Sequence, residues 1–434
     1  MVLTAIAIIF ILGYLAIALE HPLKVNKSAS ALFLGTVLWL VWFKVSGGVN
    51  PEVNPDKQLF ECFGDLTQIL FFLMGAMTIV AIIDANDGFS VITSRIKTRN
   101  VKVLMWIIAW LSFFLSAVLD NLTTTIVMMT LTRKLISDSK NRLYMAGIIV
   151  IAANAGGAWS PIGDVTTTML WIGGQISALG IVKALFLPSV ICLLLPVIVF
   201  TFFINGNVNH SSSGSSENAP SSFERNALFI AGIGGLLMVP VIKTVFHVRP
   251  YIAMLFILGI LWTVVELLGR RHESVPNRLN VHHVVKDVDT PSVLFFAGIL
   301  LAVGVLEATG QLEHLAKILE HTLGDVRIIT IIIGFLSAIV DNVPLVAATM
   351  GMYDLNIFPH DHLMWEFIAY CAGTGGSMLV IGSAAGVAAM GIDRNLSFGW
   401  YLKRVAPLAL LGYLAGAGVY LLMNMNGNWL MVGG

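Results

Sequence analysis

The sequence predicts an all-α integral membrane protein of two inverted-topology repeats. It has about 10 transmembrane helices, two re-entrant helical hairpins and a broken helix in each half. Three observations predict this. First, 57% of the 434 residues are hydrophobic and only 12% charged, and apolar stretches long enough to span a bilayer recur along the chain. Second, "FLSAVLDNL" at 114–122 returns as "FLSAIVDNV" at 335–343, with six of nine positions identical. Third, with the N-terminus outside, 18 Lys and Arg fall on cytoplasmic segments and 7 on external ones, the bias that orients membrane helices.

The expected spans of the first half are 2–19, 29–46, 66–83, an interrupted 143–175, and 183–204. Those of the second are 226–245, 250–268, 292–309, an interrupted 364–390, and 399–425. The run 2–19 lacks a basic leader and a small-residue cleavage site, so it reads as a first span and not a signal peptide. The stretches about 101–137 and 327–351 carry the Asp-Asn pairs. The first is too long for one span and the second too polar at its centre, so each reads as a hairpin that enters and leaves on one side. The Ser-rich segment 205–225 reads as a flexible cytoplasmic linker between repeats 1–204 and 226–434.

The repeat extends beyond the hairpin motif. "LFFL" at 70–73 matches "LFFA" at 294–297, "AGG" at 155–157 matches "TGG" at 374–376, and "IG" at 162–163 matches 381–382. The offset drifts from 224 through 221 to 219, as duplication followed by small deletions produces. Each half holds five spans and one hairpin, so the second half is inverted relative to the first, an arrangement typical of secondary transporters. The first hairpin then opens from the cytoplasm, the second from outside, and both termini lie outside.

Asp120 and Asp341 sit at the two expected hairpin tips, with Asn121 and Asn342 beside them. A carboxylate at membrane depth costs several kcal/mol, and usually lines a cavity that uses it. Carboxylates with amide carbonyls form a hard-oxygen donor set suited to Na⁺ or Li⁺. Thr123 adds a hydroxyl at the first tip. In "ANAGGAWSPIGDVTTTM" at 153–169, Gly156, Gly157, Pro161 and Gly163 are expected to break a helix and expose Asn154, Ser160, Asp164, Thr166 and Thr167. Its partner "AGTGGSMLVIGSAAG" at 372–386 offers Ser377 and Ser383. Asp164 aligns with Ser383, so one repeat has a carboxylate that the other lacks. These stretches contain no Lys or Arg, and the site therefore reads as one for a cation.

Other features carry less. Glu20–His21, Asp84, Asp87 and Glu307 lie at helix ends, where capping or solvation explains them. His282–His283 lies in a basic loop, and Asn209-His-Ser is a glycosylation sequon on the cytoplasmic side of this topology. Cys62, Cys192 and Cys371 are scattered without metal or redox spacing. Zero formal net charge gives no reason to expect nucleic acid. Two membrane Asp residues could form an aspartyl protease dyad. However, Leu119-Asp120 and Pro161-Ile162-Gly163-Asp164 do not resemble the Tyr-Asp and Gly-x-Gly-Asp pair of intramembrane proteases.

"SAVLDNLTTT" and "NAGGAWSPIGDVTTTMLW", with "EHPLKVNKSASAL" near the start, resemble NhaD-type sodium/proton antiporters of the ion transporter superfamily. The resemblance implies a plasma-membrane transporter, not an enzyme. It would exchange cytoplasmic Na⁺ (or Li⁺) for external H⁺, with no cofactor, in a homodimer. It carries functional positions onto Ser116, Asp120, Asn121, Asn154, Asp164, Thr166 and Thr167, and onto Ser337, Asp341, Asn342 and Ser377. The superfamily's carboxylate transporters place Ser-Asn-Thr at the tips, and here Asp precedes each Asn. A Na⁺-coupled carboxylate symporter or oxyanion permease is the alternative within the superfamily.

Overall fold

The computed structural model describes residues 2–49, 54–96, 98–136, 138–206, 222–269, 284–427 and 429. The sequon at Asn209, His282–His283 and most of the linker lie outside these residues. A helix begins at Ser222, inside the 205–225 segment expected as linker.

The described elements are helical, and eight of them are long and apolar enough to cross a bilayer. The protein is a multi-pass membrane protein. Polar caps at the ends of the apolar runs set where several helices begin. Asn54 accepts from the Lys57 N–H before Pro55, Asn100 accepts from Lys102 N–H, and Asp138 accepts from Lys140 and Asn141.

The hairpins are Val101–Leu119 with Asn121–Leu135, and Val326–Leu336 with Asn342–Met352. The broken helices are Ser139–Ala158 with Val165–Ile172, and Leu363–Gly375 with Ala384–Ile392. The first arm of each hairpin packs on the broken helix of its own repeat, and the second arm on the far half of the other repeat's broken helix. The outer helices obey the same two-fold relation. Lys27–Val49 packs on Thr290–Ala308, and Pro250–Gly269 on Pro55–Ala85.

The two broken helices run antiparallel. Arg142, at the start of the first, pairs with Asp393, just past the end of the second. Asp361, just before the second, accepts from the Ser177 N–H beyond the end of the first. Start therefore meets end at both poles, as inversion of one repeat against the other requires.

The first Gly pair does not break its helix, contrary to the sequence expectation, although Pro161 and Gly163 do lie in the break; in the second repeat the helix ends at its pair, Gly375–Gly376. Helix continues through Gly156 and Gly157 to Ala158, and the break falls at 159–164. A Cβ on Gly156 would strike the Phe113 carbonyl, and one on Gly375 the Gly334 carbonyl. These glycines let the hairpin backbone touch the broken helix, the small-residue packing that holds helices together where lipid is as apolar as the side chains. Two matched hydrogen bonds seal that contact, Ser116 Oγ to Ala153 O (2.6 Å) and Ser337 Oγ to Ala372 O (2.7 Å). Each contributes on the order of 1 kcal/mol.

Two further differences have local causes. The expected span 399–425 is divided into Phe398–Arg404 and Ala406–Met423, because Pro407 begins a new helix after Val405. The helix Gln311–Leu323 was not expected. It is amphipathic, and left-handed Gly310 (φ 69°) and Gly324 (φ 68°) bound it.

Candidate functional site

The hairpin tips and the helix breaks meet at one place. A cavity of about 30 Å³ is lined by Asp120, Asn121, Asp164, Asp341, Asn342 and Lys27. Leu73, Met77 and Phe296 supply its apolar wall. That volume suits a few water molecules or a small ion.

Each carboxylate is held differently. Asp120 caps the second arm of its hairpin: Oδ1 accepts from the Thr123 N–H (2.7 Å) and Oδ2 from the Thr123 hydroxyl (3.1 Å). Its backbone has φ 82° and ψ 164°, a region that essentially only glycine occupies without cost. Asp341, its counterpart, has φ −51° and ψ 136°, unstrained, and accepts from the Val343 N–H at 3.2 Å. Asp164 is buried and starts the second half of its broken helix. Its Oδ2 accepts from Asn342 Nδ2 at 2.9 Å.

The repeats solve one problem in two ways. Asp164 and Ser383 have nearly the same backbone, φ −146° and ψ 151° against φ −144° and ψ 155°. Asn342 reaches Asp164 directly. Ser383 is too short to meet Asn121, and Asn154 bridges the gap. Asn121 Nδ2 donates to Asn154 Oδ1 (3.1 Å), and Asn154 Nδ2 donates to Ser383 Oγ (2.9 Å). By the repeat offset, the counterpart of Asn154 is Gly373. A Cβ there would lie 3.5 Å from Asp164 Oδ2, so the Asp164 carboxylate takes the space that Asn154 fills in the other half.

The remaining expected residues stand behind this layer. Thr166 and Thr167 are buried in the turn after Asp164, and Thr167 Oγ1 donates to the Asp164 backbone carbonyl (2.9 Å). Ser160 Oγ donates to the Ala117 carbonyl. Ser377 does not join the cavity. Its hydroxyl turns back to Thr374 O (2.6 Å), and its own carbonyl accepts from the Tyr401 hydroxyl (2.7 Å). Among the described residues, no three His, Cys, Asp or Glu side chains converge as a metal cluster. The three carboxylates surround the cavity instead, with amides between them.

The motif stretches themselves hold no Lys or Arg, but a lysine from outside them lines the cavity. Lys27 Nζ lies 3.6 Å from Asp341 Oδ2 and 4.5 Å from the Phe295 ring centroid. Lys27 is distant in sequence from both Asp-Asn motifs, and locally it reads as one more basic residue before an apolar run. The available signal was its place inside "EHPLKVNKSASAL", the third stretch that carries the family resemblance.

Comparison with known proteins fits this architecture. The family described as "Citrate transporter" (CitMHS) matches residues 7–365. "Sodium/proton antiporter 1" of Arabidopsis thaliana is 47% identical over 421 residues, covering 96% of this chain and 72% of that protein. "Na(+)/H(+) antiporter NhaD" of Vibrio cholerae is 31% identical over 447 residues, covering 97% of this chain and 91% of that protein. The protein of the same name from Alkalimonas amylolytica is 30% identical over 444 residues, covering 96% and 89%. With a family match over most of its length and these near full-length identities, the chain belongs to the CitMHS family of the ion transporter superfamily, alongside the NhaD-type antiporters.

Proposed function

We propose that the protein exchanges cytoplasmic Na⁺ or Li⁺ for external H⁺ by competition at the carboxylates of the cavity. The observation that carries this reading is the convergence of Asp120, Asp164 and Asp341 with two tip amides on one ion-sized space. A proton on a carboxylate removes the charge and the lone pair that a Na⁺ would use. The two ions therefore exclude each other, and a carrier that moves only when loaded with one or the other couples their fluxes. External protons load the outward-open site and expel Na⁺, and the protonated site returns to the cytoplasm. Exchange rises with cytoplasmic pH, because only ionised carboxylates bind Na⁺. The hairpins and broken helices move as a unit against the outer helices, within a plasma-membrane homodimer with both termini outside. The names of the relatives, Na⁺/H⁺ antiporters from bacteria and a plant, support the ion assignment.

A second reading has two observations in its favour. The family description names citrate, and Lys27 would suit an anion. With all groups ionised, three carboxylates and one ammonium leave a net charge of −2 around a space of about 30 Å³, which repels and cannot hold a tricarboxylate.

Everted vesicles separate the two. Addition of NaCl or LiCl should dissipate a preformed ΔpH, more strongly as pH rises from neutral to alkaline. No response to NaCl, LiCl or KCl over that range contradicts the exchanger. Na⁺-dependent uptake of labelled citrate would establish the symporter.

A further inference from the structure

We propose that Lys27 is a tethered competitor cation. Its ammonium occupies Asp341 while no ion is bound there, and Na⁺ has to displace it. This inference rests on the cation-binding reading of the cavity.

Four observations carry it. Lys27 and Asp341 line the same cavity as Asp120 and Asp164. The two groups are an ion pair at 3.6 Å, and both side chains are largely buried, 27% and 18% exposed. The separation is beyond hydrogen-bond reach, so the contact is loose enough to exchange. Finally, the ammonium has a second seat. The Phe295 ring lies 4.5 Å away and would hold a displaced cation by its π face.

The backbone around Lys27 keeps this arrangement in place. Lys27 is the first residue of the helix Lys27–Val49. Its N–H donates to Glu20 Oε1 (3.2 Å), and the neighbouring Ser28 hydroxyl donates to the Pro291 carbonyl (2.6 Å). Glu20 thus engages the backbone of Lys27, while the side chain extends to Asp341. Lys27 and Phe295 both stand on the outer helices, whereas Asp341 stands on a hairpin tip. The ion pair therefore ties the hairpin to its surroundings, and a Na⁺ that takes the carboxylate cuts the tie. A site that is empty of ions is held, and a loaded one is freed.

Binding of radioactive Na⁺ to the purified full-length protein at alkaline pH tests this without requiring exchange. Lys27→Gln removes the competitor, so the Kd for Na⁺ should fall about three- to tenfold. Lys27→Arg offers Asp341 a fork with stronger, two-point geometry, so its Kd should rise. An unchanged or weaker affinity in Lys27→Gln overturns the proposal. If that variant does not accumulate, Lys27→Arg decides alone, and an affinity equal to or tighter than wild type overturns it. Tighter binding in Lys27→Gln together with absent ΔpH exchange in the wild type would uphold the competitor and contradict the exchanger. No Na⁺ binding to any form contradicts both.

Discussion

Asn342 on the second hairpin donates to Asp164 on the first broken helix at 2.9 Å, across the boundary between the repeats. The hydrogen bond joins the one carboxylate without a repeat partner to the amide beside another carboxylate. A hydrogen bond to a charged group contributes about 1.5–3 kcal/mol, and a buried partner left unmatched costs a comparable amount.

Asp164→Ser therefore tests whether Asp164 is an ion ligand or only the acceptor of the Asn342 amide. Serine would copy Ser383, which caps the equivalent helix with the same backbone geometry. Folding should survive at a cost of about 1–3 kcal/mol for the unmatched Asn342 amide, because serine starts the equivalent half-helix at Ser383. Exchange should be lost, or the apparent KM for Na⁺ should rise about tenfold or more. Kinetics and a pH profile superimposable on wild type would remove Asp164 from ion binding and proton transfer.

Asp120→Asn and Asp341→Asn keep the shape of each side chain and remove the charge. Each should abolish exchange while leaving normal amounts of protein in the membrane. Near-normal ΔpH dissipation in either variant would remove that carboxylate from the mechanism.

Asp120→Gly separates stability from activity. The φ of 82° and ψ of 164° at Asp120 cost about 1–3 kcal/mol in a residue with a Cβ. Replacing an N-cap by Gly loses only a few tenths of a kcal/mol. The purified variant should thus melt at the same temperature as wild type or higher, yet transport nothing. A clearly lower melting temperature would show that the Asp120 side chain, with its bonds to Thr123, stabilises the tip more than the backbone strains it.

Gly156→Ala and Gly375→Ala should both reduce the amount of folded protein. Each added methyl meets a backbone carbonyl, of Phe113 or Gly334, which has no rotamer to turn aside. Wild-type abundance and melting temperature in either variant would mean that the hairpin can slide to make room.

The sequence reveals the parts of this fold that are local or repeated. The duplicated Asp-Asn motif marks both hairpin tips at the right residues, and the drifting offset pairs Asp164 with Ser383 correctly. What it conceals is contact between distant segments. Nothing near Asn154 announces that it bridges Asn121 to Ser383, because that bridge exists only once the broken helices cross. Lys27 lies far from Asp341 along the chain, and only the packing of the helix Lys27–Val49 on Thr290–Ala308 brings them together. Gly156 has the composition of a helix break and the position of a packing contact, and the Phe113 backbone that decides between them is not adjacent in sequence. Ser377, expected at the site, turns its hydroxyl back to the helix that precedes it, an orientation that spacing alone does not fix.

If Na⁺ and H⁺ compete for the same carboxylates, adding NaCl to the purified protein in weakly buffered detergent solution releases protons. The acidification should saturate with Na⁺, occur also with Li⁺, and disappear in the double variant Asp120→Asn/Asp164→Asn. Saturable Na⁺ binding with no proton release at any pH between neutral and alkaline would contradict that competition.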